Sequence, residues 1–420
     1  MNHMNNRKSK IKNRKLELGL FFLVLIFCIG CKETGRIDYI DQSAPPPTQI
    51  EELHVRNTNG GAVLKYIVPD DNNLLYVQAV YEIRPGVQRE TKASFYVDSL
   101  VLEGFGDTRE YEVKIYSVGK NGKQSEPLIE TVHPLIAPLH MASVEMRPTF
   151  GGVSLWIENP KETNLAIVLT GDTANLGYHV FLQTFYTSRE KVTFNYRGLS
   201  SVPLEFAVHL RDRWNNITAT LDSTLTPIQE QFIPKATWTE VHLPTDSYIA
   251  IENNNPAFQP SRAWDNIINN QDLMWAAAIT SPFPQWITWD MGLTAVIGRL
   301  KVWHRGPGNR AWENQERNIK KFELWGSTSP NLDGSWDDSW IPLGQFECVR
   351  PSGEASPTDE DHYYANVEGI DFDLIPNEFS PDPFQPVRYI RFVAVETFAG
   401  PQLVGGYFLS EISFWGMVEE

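Results

Sequence analysis

Residues 303–313 read Trp-His-Arg-Gly-Pro-Gly-Asn-Arg-Ala-Trp-Glu, the run in this chain best suited to holding a sugar. An indole offers flat apolar area to the C–H face of a pyranose at little entropic cost, which is the use expected of Trp303 and Trp312. Around those rings Arg305 and Arg310 would span neighbouring hydroxyls with a fixed fork of donors, and His304, Asn309 and Glu313 add single donors and acceptors. Trp275 is a further candidate for an exposed ring, together with Trp264 and Trp336, and Phe398 in a later loop would make a second wall. The competing reading is a solvated turn in which Arg305 and Arg310 pair with Glu313 and Glu316.

Covalent chemistry finds no comparable set of residues. The chain has no His-Glu-x-x-His, no Gly-x-Ser-x-Gly elbow and no phosphate-binding glycine loop. Glycoside hydrolysis needs two placed carboxylates, and the acid clusters Asp337-Asp338 and Asp359-Glu360-Asp361 sit in Gly-, Pro- and Ser-rich stretches where solvated charge is the ordinary role. The expectation is a binding protein and not an enzyme.

These loops need a rigid frame, and the pattern of the chain supplies β-sheet. Strand Arg299–Val302 leads into the run above, and Gly306-Pro307-Gly308 forces a turn at a sheet rim, where binding residues concentrate. Upstream, Gly60-Gly61-Ala62-Val63-Leu64-Lys65-Tyr66-Ile67-Val68-Pro69 aligns with Gly151-Gly152-Val153-Ser154-Leu155-Trp156-Ile157-Glu158-Asn159-Pro160, and Tyr111–Ile115 aligns with Phe206–Leu210. Both pairs alternate apolar and polar at period two, so each repeat of about 90 residues is predicted to be made of half-buried strands. Short strands and no helix of amphipathic length point to tandem β-sandwiches, over residues 49–135 and 136–232. Their spacing resembles fibronectin type III domains, and their role is read as that of spacers. The Pro-bearing stretches 134–138 and 227–234 are the expected joints.

With 420 residues, 42% hydrophobic and 21% charged, the chain has material for several cores. Tryptophan is lopsided: 11 of the 13 lie beyond residue 235. There Ser261–Asn266, Trp275, Pro284–Gly292, Ile319–Ser327, Val387–Phe392 and Glu411–Gly416 resemble, in order, the blocks of discoidin-type (coagulation factor 5/8 C, galactose-binding-like) domains. The resemblance implies an all-β architecture in which residues 236–420 form a jelly-roll sandwich, with Trp325, Trp340 and Trp415 packed in or near the core. The rim residues named above look like the ligand set of its sugar-binding members. It also implies one structural Ca2+, for which Asp265, Asn270, Asp272 and Glu411 are the expected oxygen donors.

The first 30 residues carry six basic side chains against Glu17, followed by the apolar stretch Leu18–Gly30, too short to span a bilayer and suited to an export leader. Phe27-Cys28-Ile29-Gly30-Cys31 resembles a bacterial lipobox, which implies cleavage after residue 30 and acylation of Cys31. Residues 31–48, with three prolines at 45–47, read as a tether. The net charge of −16 becomes more negative without the leader, which argues against nucleic acid as a partner. Lipobox, two sandwiches and a discoidin-like domain together resemble Bacteroidetes surface lipoproteins associated with polysaccharide utilisation. That implies an outer-membrane lipoprotein binding polysaccharide or oligosaccharide, held to the membrane through its lipid and placed beside an outer-membrane transporter complex. The alternative is a protein-binding adhesin or a structural subunit of such a complex.

Overall fold

The computed structural model describes residues 40–251, 255–278, 280–281, 283–306, 317–354, 356–398 and 406–419. The leader and Cys31 lie outside them. The chain divides into two compact units, the first ending at Pro138 and the second beginning at Leu139.

The first unit is a seven-stranded sandwich. Strands β1 (Glu51–Thr58), β2 (Gly61–Ile67) and β5 (Ser99–Glu103) form one sheet, and β4 (Val87–Ser94), β3 (Leu74–Arg84), β6 (Tyr111–Gly119) and β7 (Leu128–Val132) form the other. The second unit begins with the same plan. Strands β8 (Ser143–Thr149), β9 (Gly152–Glu158) and β12 (Lys191–Arg197) face β11 (Val180–Thr187), β10 (Leu165–Asp172), β13 (Leu204–Arg211) and β14 (Leu221–Leu225). The doubled glycines of the repeat have a common physical cause. Gly60 and Gly151 turn the chain at φ +64° and +66°, where an L side chain is strained. Gly61 and Gly152 lie so close to the cross-strand carbonyls of Leu102 and Tyr196 that a Cβ would meet oxygen at 2.2 and 1.8 Å. The aligned segments Tyr111–Ile115 and Phe206–Leu210 sit in β6 and β13, each of which lies between two neighbours in its sheet.

The rest of the second unit is another antiparallel sandwich. Its strands include β15 (Gln231–Phe232), β16 (Thr239–Glu240), β17 (Trp275–Ala276), β18 (Gln285–Trp303), β19 (Ile319–Ser327), β20 (Ile341–Glu347), β21 (Ile370–Asp373), β22 (Pro386–Thr397), β23 (Phe408–Leu409) and β24 (Glu411–Val418). The 19-residue β18 runs through the middle of an eight-stranded sheet. Its first half pairs with β22, the register shifts after Asp290 beside Gly292 at φ +72°, and its second half pairs with β24 and β21. Side chains on its inner face, Ile287 and Trp289, join Trp238, Trp264 and Phe414 in the core, with ring centroids 5.1–6.1 Å apart around Trp238 and 5.5 Å between Trp264 and Trp289. Much of the tryptophan excess is therefore packing material.

Residues 227–234 do not behave as a joint. Arg197 of the second sandwich pairs with Glu230 at 3.0 Å and touches Asp373, while Arg299 pairs with Asp371 at 2.6 Å and with Glu230 at 3.8 Å. Burial pushes Glu230 up and Arg197 down from their ordinary pKa values, each offset by the opposite charges beside it. Phe150 meanwhile presses on Gly298 so closely that a Cβ there would come within 2.1 Å of the ring. Gly298→Ala is expected to cost about 1–3 kcal/mol by overpacking and to speed proteolytic cleavage within 227–234. Cleavage unchanged from the parent chain would refute the packed arrangement.

Candidate functional site

The strand that leads into the Trp-His-Arg run buries most of the groups expected at the rim. Trp303 is 8% exposed, its Nε1 donates to Val367 O at 3.1 Å, and Gly369 lies against the ring. His304 is wholly enclosed: Nε2 donates to Ile319 O at 3.0 Å, its ring meets Phe398 edge-on at 5.8 Å, and burial pushes its pKa down to about 3, so it is neutral. Trp275 is 1% exposed against Tyr407 and Phe392, and Phe398 is half-buried against the core. These four side chains are structural here, because the segment 364–368 and the residues around 407 cover the end of the sheet on which they stand. Asn309, Arg310 and Trp312 lie outside the described residues.

Arg305 remains partly exposed. Its Nε donates to Gln271 O at 2.9 Å, and its guanidinium lies 5.1 Å from the centroid of the Phe408 ring. Arg317 takes the same ring at 4.3 Å and donates Nη2 to Ala277 O at 2.6 Å. Burial, and then the charge of Arg305, hold Arg317 below the usual guanidinium range. Neither arginine is ion-paired among the described residues. Arg317 and Phe408 lie far apart in sequence, and no local motif marks them.

The expected calcium donors are spent otherwise. Glu411 is buried, with Oε1 against the ammonium of Lys235 and Oε2 accepting from Asn266 N at 2.9 Å. Asp265 pairs with Arg262 at 2.9 Å and accepts from Ile267 N, and Asn270 Oδ1 accepts from the backbone N–H groups of Asp272 and Leu273. Among the described residues no three acidic, histidine or cysteine side chains converge on a point. A lysine already supplies the positive charge beside Glu411, so this donor set does not fit a calcium ion. Millimolar Ca2+ or a chelator should leave the unfolding temperature unchanged, and a rise of several degrees with Ca2+ would contradict this.

A different part of the domain presents an open ring. Between β19 and β20, Asp337 accepts from Ser339 N and Oγ at 3.0 and 2.6 Å and from Ser335 Oγ at 3.1 Å, bonds that hold its carboxyl down at about 2. Gly334, at φ +76°, completes the turn. The turn lifts Trp336, 42% exposed and the one exposed tryptophan among the described residues. Beneath it lies fully buried Arg391, its guanidinium carbon 4.3 Å from the centroid of the Trp336 ring and 4.1 Å from that of Trp340. Arg391 donates to Thr288 Oγ1 at 3.1 Å and Gly334 O at 3.2 Å, and stands 3.9 Å from buried Asp246. Half-buried Trp286 and Trp325 meet Trp336 edge-on at 5.4 and 5.2 Å. Trp325 thus stands outside the core, with its Nε1 donating to Glu323 at 3.0 Å and Gln345 bonded to the same carboxylate at 2.9 Å. The result is one indole face seated on a cation and its neighbours, with polar groups nearby.

The acid clusters have structural work. Asp361 closes a capping box with Thr358 and accepts from Ser352, so its pKa lies at about 2, too low for a general acid at neutral pH.

Residues 47–134 match the family described as a domain of unknown function, DUF4959, residues 133–236 match DUF5126, and residues 264–416 match DUF5000. None of the curated proteins matches the chain. Among solved structures the chain is similar to the SusE-like protein BT2857, at 27% identity over 66% of this chain and 97% of that one, with a TM-score of 0.42. It is similar to the C-terminal domain of a chitobiase from Bacteroides fragilis, at 17% identity over 45% and 100% of the two chains, TM-score 0.31. It is also similar to the family 32 CBM of NanJ from Clostridium perfringens, solved in complex with galactose, at 15% identity over 44% and 98%, TM-score 0.28.

Proposed function

We propose that this protein is a non-catalytic, lipid-anchored carbohydrate-binding protein whose C-terminal sandwich holds polysaccharide on the exposed face of Trp336. The observation that carries the reading is the fixed indole: Arg391 below and the edges of Trp286 and Trp325 beside it hold the ring in one orientation. A platform of that kind binds a pyranose without first paying to order a side chain. Glu323 and Gln345 beside Trp325 are placed to meet hydroxyls at its border, and the Arg305–Arg317 pair offers further donors.

Affinity electrophoresis in gels containing plant, host and microbial polysaccharides tests the reading. Retardation by at least one of them is expected, and free migration through all of them would overturn it. Anchoring rests on the leader and Cys31, with the outer membrane as the proposed location. Cys31→Ala should shift the protein from the membrane to the soluble fraction, and a variant that stays with the membrane would remove the lipid from the account.

A further inference from the structure

The second sandwich contains a feature that a spacer does not need. At the end of its sheets formed by the β11–β12 turn and the turn after β13, a cleft of about 880 Å³ opens. That volume lies in the range of small-molecule sites. Its shape follows from strand register. Ala166 of β10 faces Tyr186 of β11 on one side and Arg211 of β13 on the other. The small buried residue makes a floor between two long walls. Tyr186 is 70% exposed, and Val192 and Phe194 add half-buried apolar lining.

The charge of the cleft is one-sided. Arg189, Arg211 and Arg213 line it, on a chain whose formal charge is −16. The one acid of the lining, Asp212, points its carboxylate into its own turn, accepting from Trp214 N at 2.8 Å, Asn216 N at 2.9 Å and Asn216 Nδ2 at 2.8 Å. Among the described residues Arg189 and Arg211 have no carboxylate within ion-pair distance. Arg211 makes a long 3.4 Å bond to Asn215, and Arg213 stacks on Trp214 at 4.2 Å.

The geometry points to a second glycan site in this cleft, one that takes a uronic acid unit of an acidic polysaccharide. Tyr186 meets the C–H face of the sugar, and Arg189 and Arg211 converge on its carboxylate, the anion that a guanidinium fork fits. The site stands on a different sandwich from Trp336 and goes beyond the reading above.

Calorimetric titration of the complete chain in detergent with tetramers of galacturonate, mannuronate and glucuronate, and with an uncharged galactose tetramer, tests it. One of the uronates should bind at least tenfold more tightly than the neutral sugar. Arg189→Ala/Arg211→Ala and Tyr186→Ala should each weaken that binding at least tenfold with an unchanged unfolding midpoint, Arg211→Lys should weaken it less, and Trp336→Ala should leave it in place. No binding to any uronate, or binding indifferent to Arg189, Arg211 and Tyr186, would overturn the cleft assignment. Retardation on neutral glycans that depends on Trp336, with no uronate bound, would overturn the cleft while sustaining the platform.

Discussion

Replacing Lys235 with methionine should cost about 3–5 kcal/mol of stability, the range seen when one partner of a buried ion pair is removed. Lys235 and Glu411 are both almost fully buried, at 3% and 2% side-chain exposure. Burial pushes the Glu411 carboxyl up and the Lys235 ammonium down from their ordinary pKa values, each offset by the opposite charge beside it. Without the ammonium, Glu411 folds only by holding its proton. Its folded pKa is then raised far above the unfolded value near 4.5, so stability is present in full below about pH 4.5 and is lost as pH rises through the neutral range. The deficit of Lys235→Met against the parent chain should therefore be small at pH 5 and largest at pH 8, as read from thermal or denaturant unfolding. Lys235→Met/Glu411→Leu should recover most of it, since an apolar pair of similar volume leaves no orphan charge. An equal deficit at both pH values would remove the buried pair from its structural role.

Trp336→Ala should abolish most of the affinity for whichever neutral polysaccharide retards the protein, by at least tenfold. Truncating a central aromatic anchor costs 2 kcal/mol or more in many interfaces, and 1.4 kcal/mol is already tenfold. Arg391 complicates the reading, because removing the indole strips one face from a guanidinium that is otherwise enclosed. Arg391 keeps Trp340, Thr288, Gly334 and Asp246 as neighbours, so a folded variant is expected. Trp336→Phe separates the two effects: a smaller ring that still covers Arg391 should retain part of the affinity and nearly all of the stability. If Trp336→Ala folds and binds as well as the parent chain, the platform is not the site.

The repeat is legible in the sequence because its markers are local. A left-handed glycine, a second glycine pressed against a carbonyl, and a period-two pattern along Val63–Ile67 and Val153–Ile157 all leave their record in adjacent residues. The order of the C-terminal blocks was equally plain, and so was the packing fate of Trp340. Legibility failed where burial depends on distant cover. Trp303 and His304 look like rim residues until the segment 364–368 and Phe398 close over them. Glu411 looks like a metal ligand until Lys235, 176 positions away, occupies its partner position. Trp336 passed as one of several candidates because its cation, Arg391, is supplied by another strand, and the cleft of the second sandwich rests on a cross-strand row of Tyr186, Ala166 and Arg211 that strand spacing alone does not reveal.

The most direct test is a crystal structure of the protein with an oligosaccharide cut from the polysaccharide that retards it. The prediction is a pyranose ring lying parallel to the Trp336 indole, on the face opposite Arg391. An ordered sugar bound elsewhere on the C-terminal sandwich, with the Trp336 face left to solvent, would contradict it.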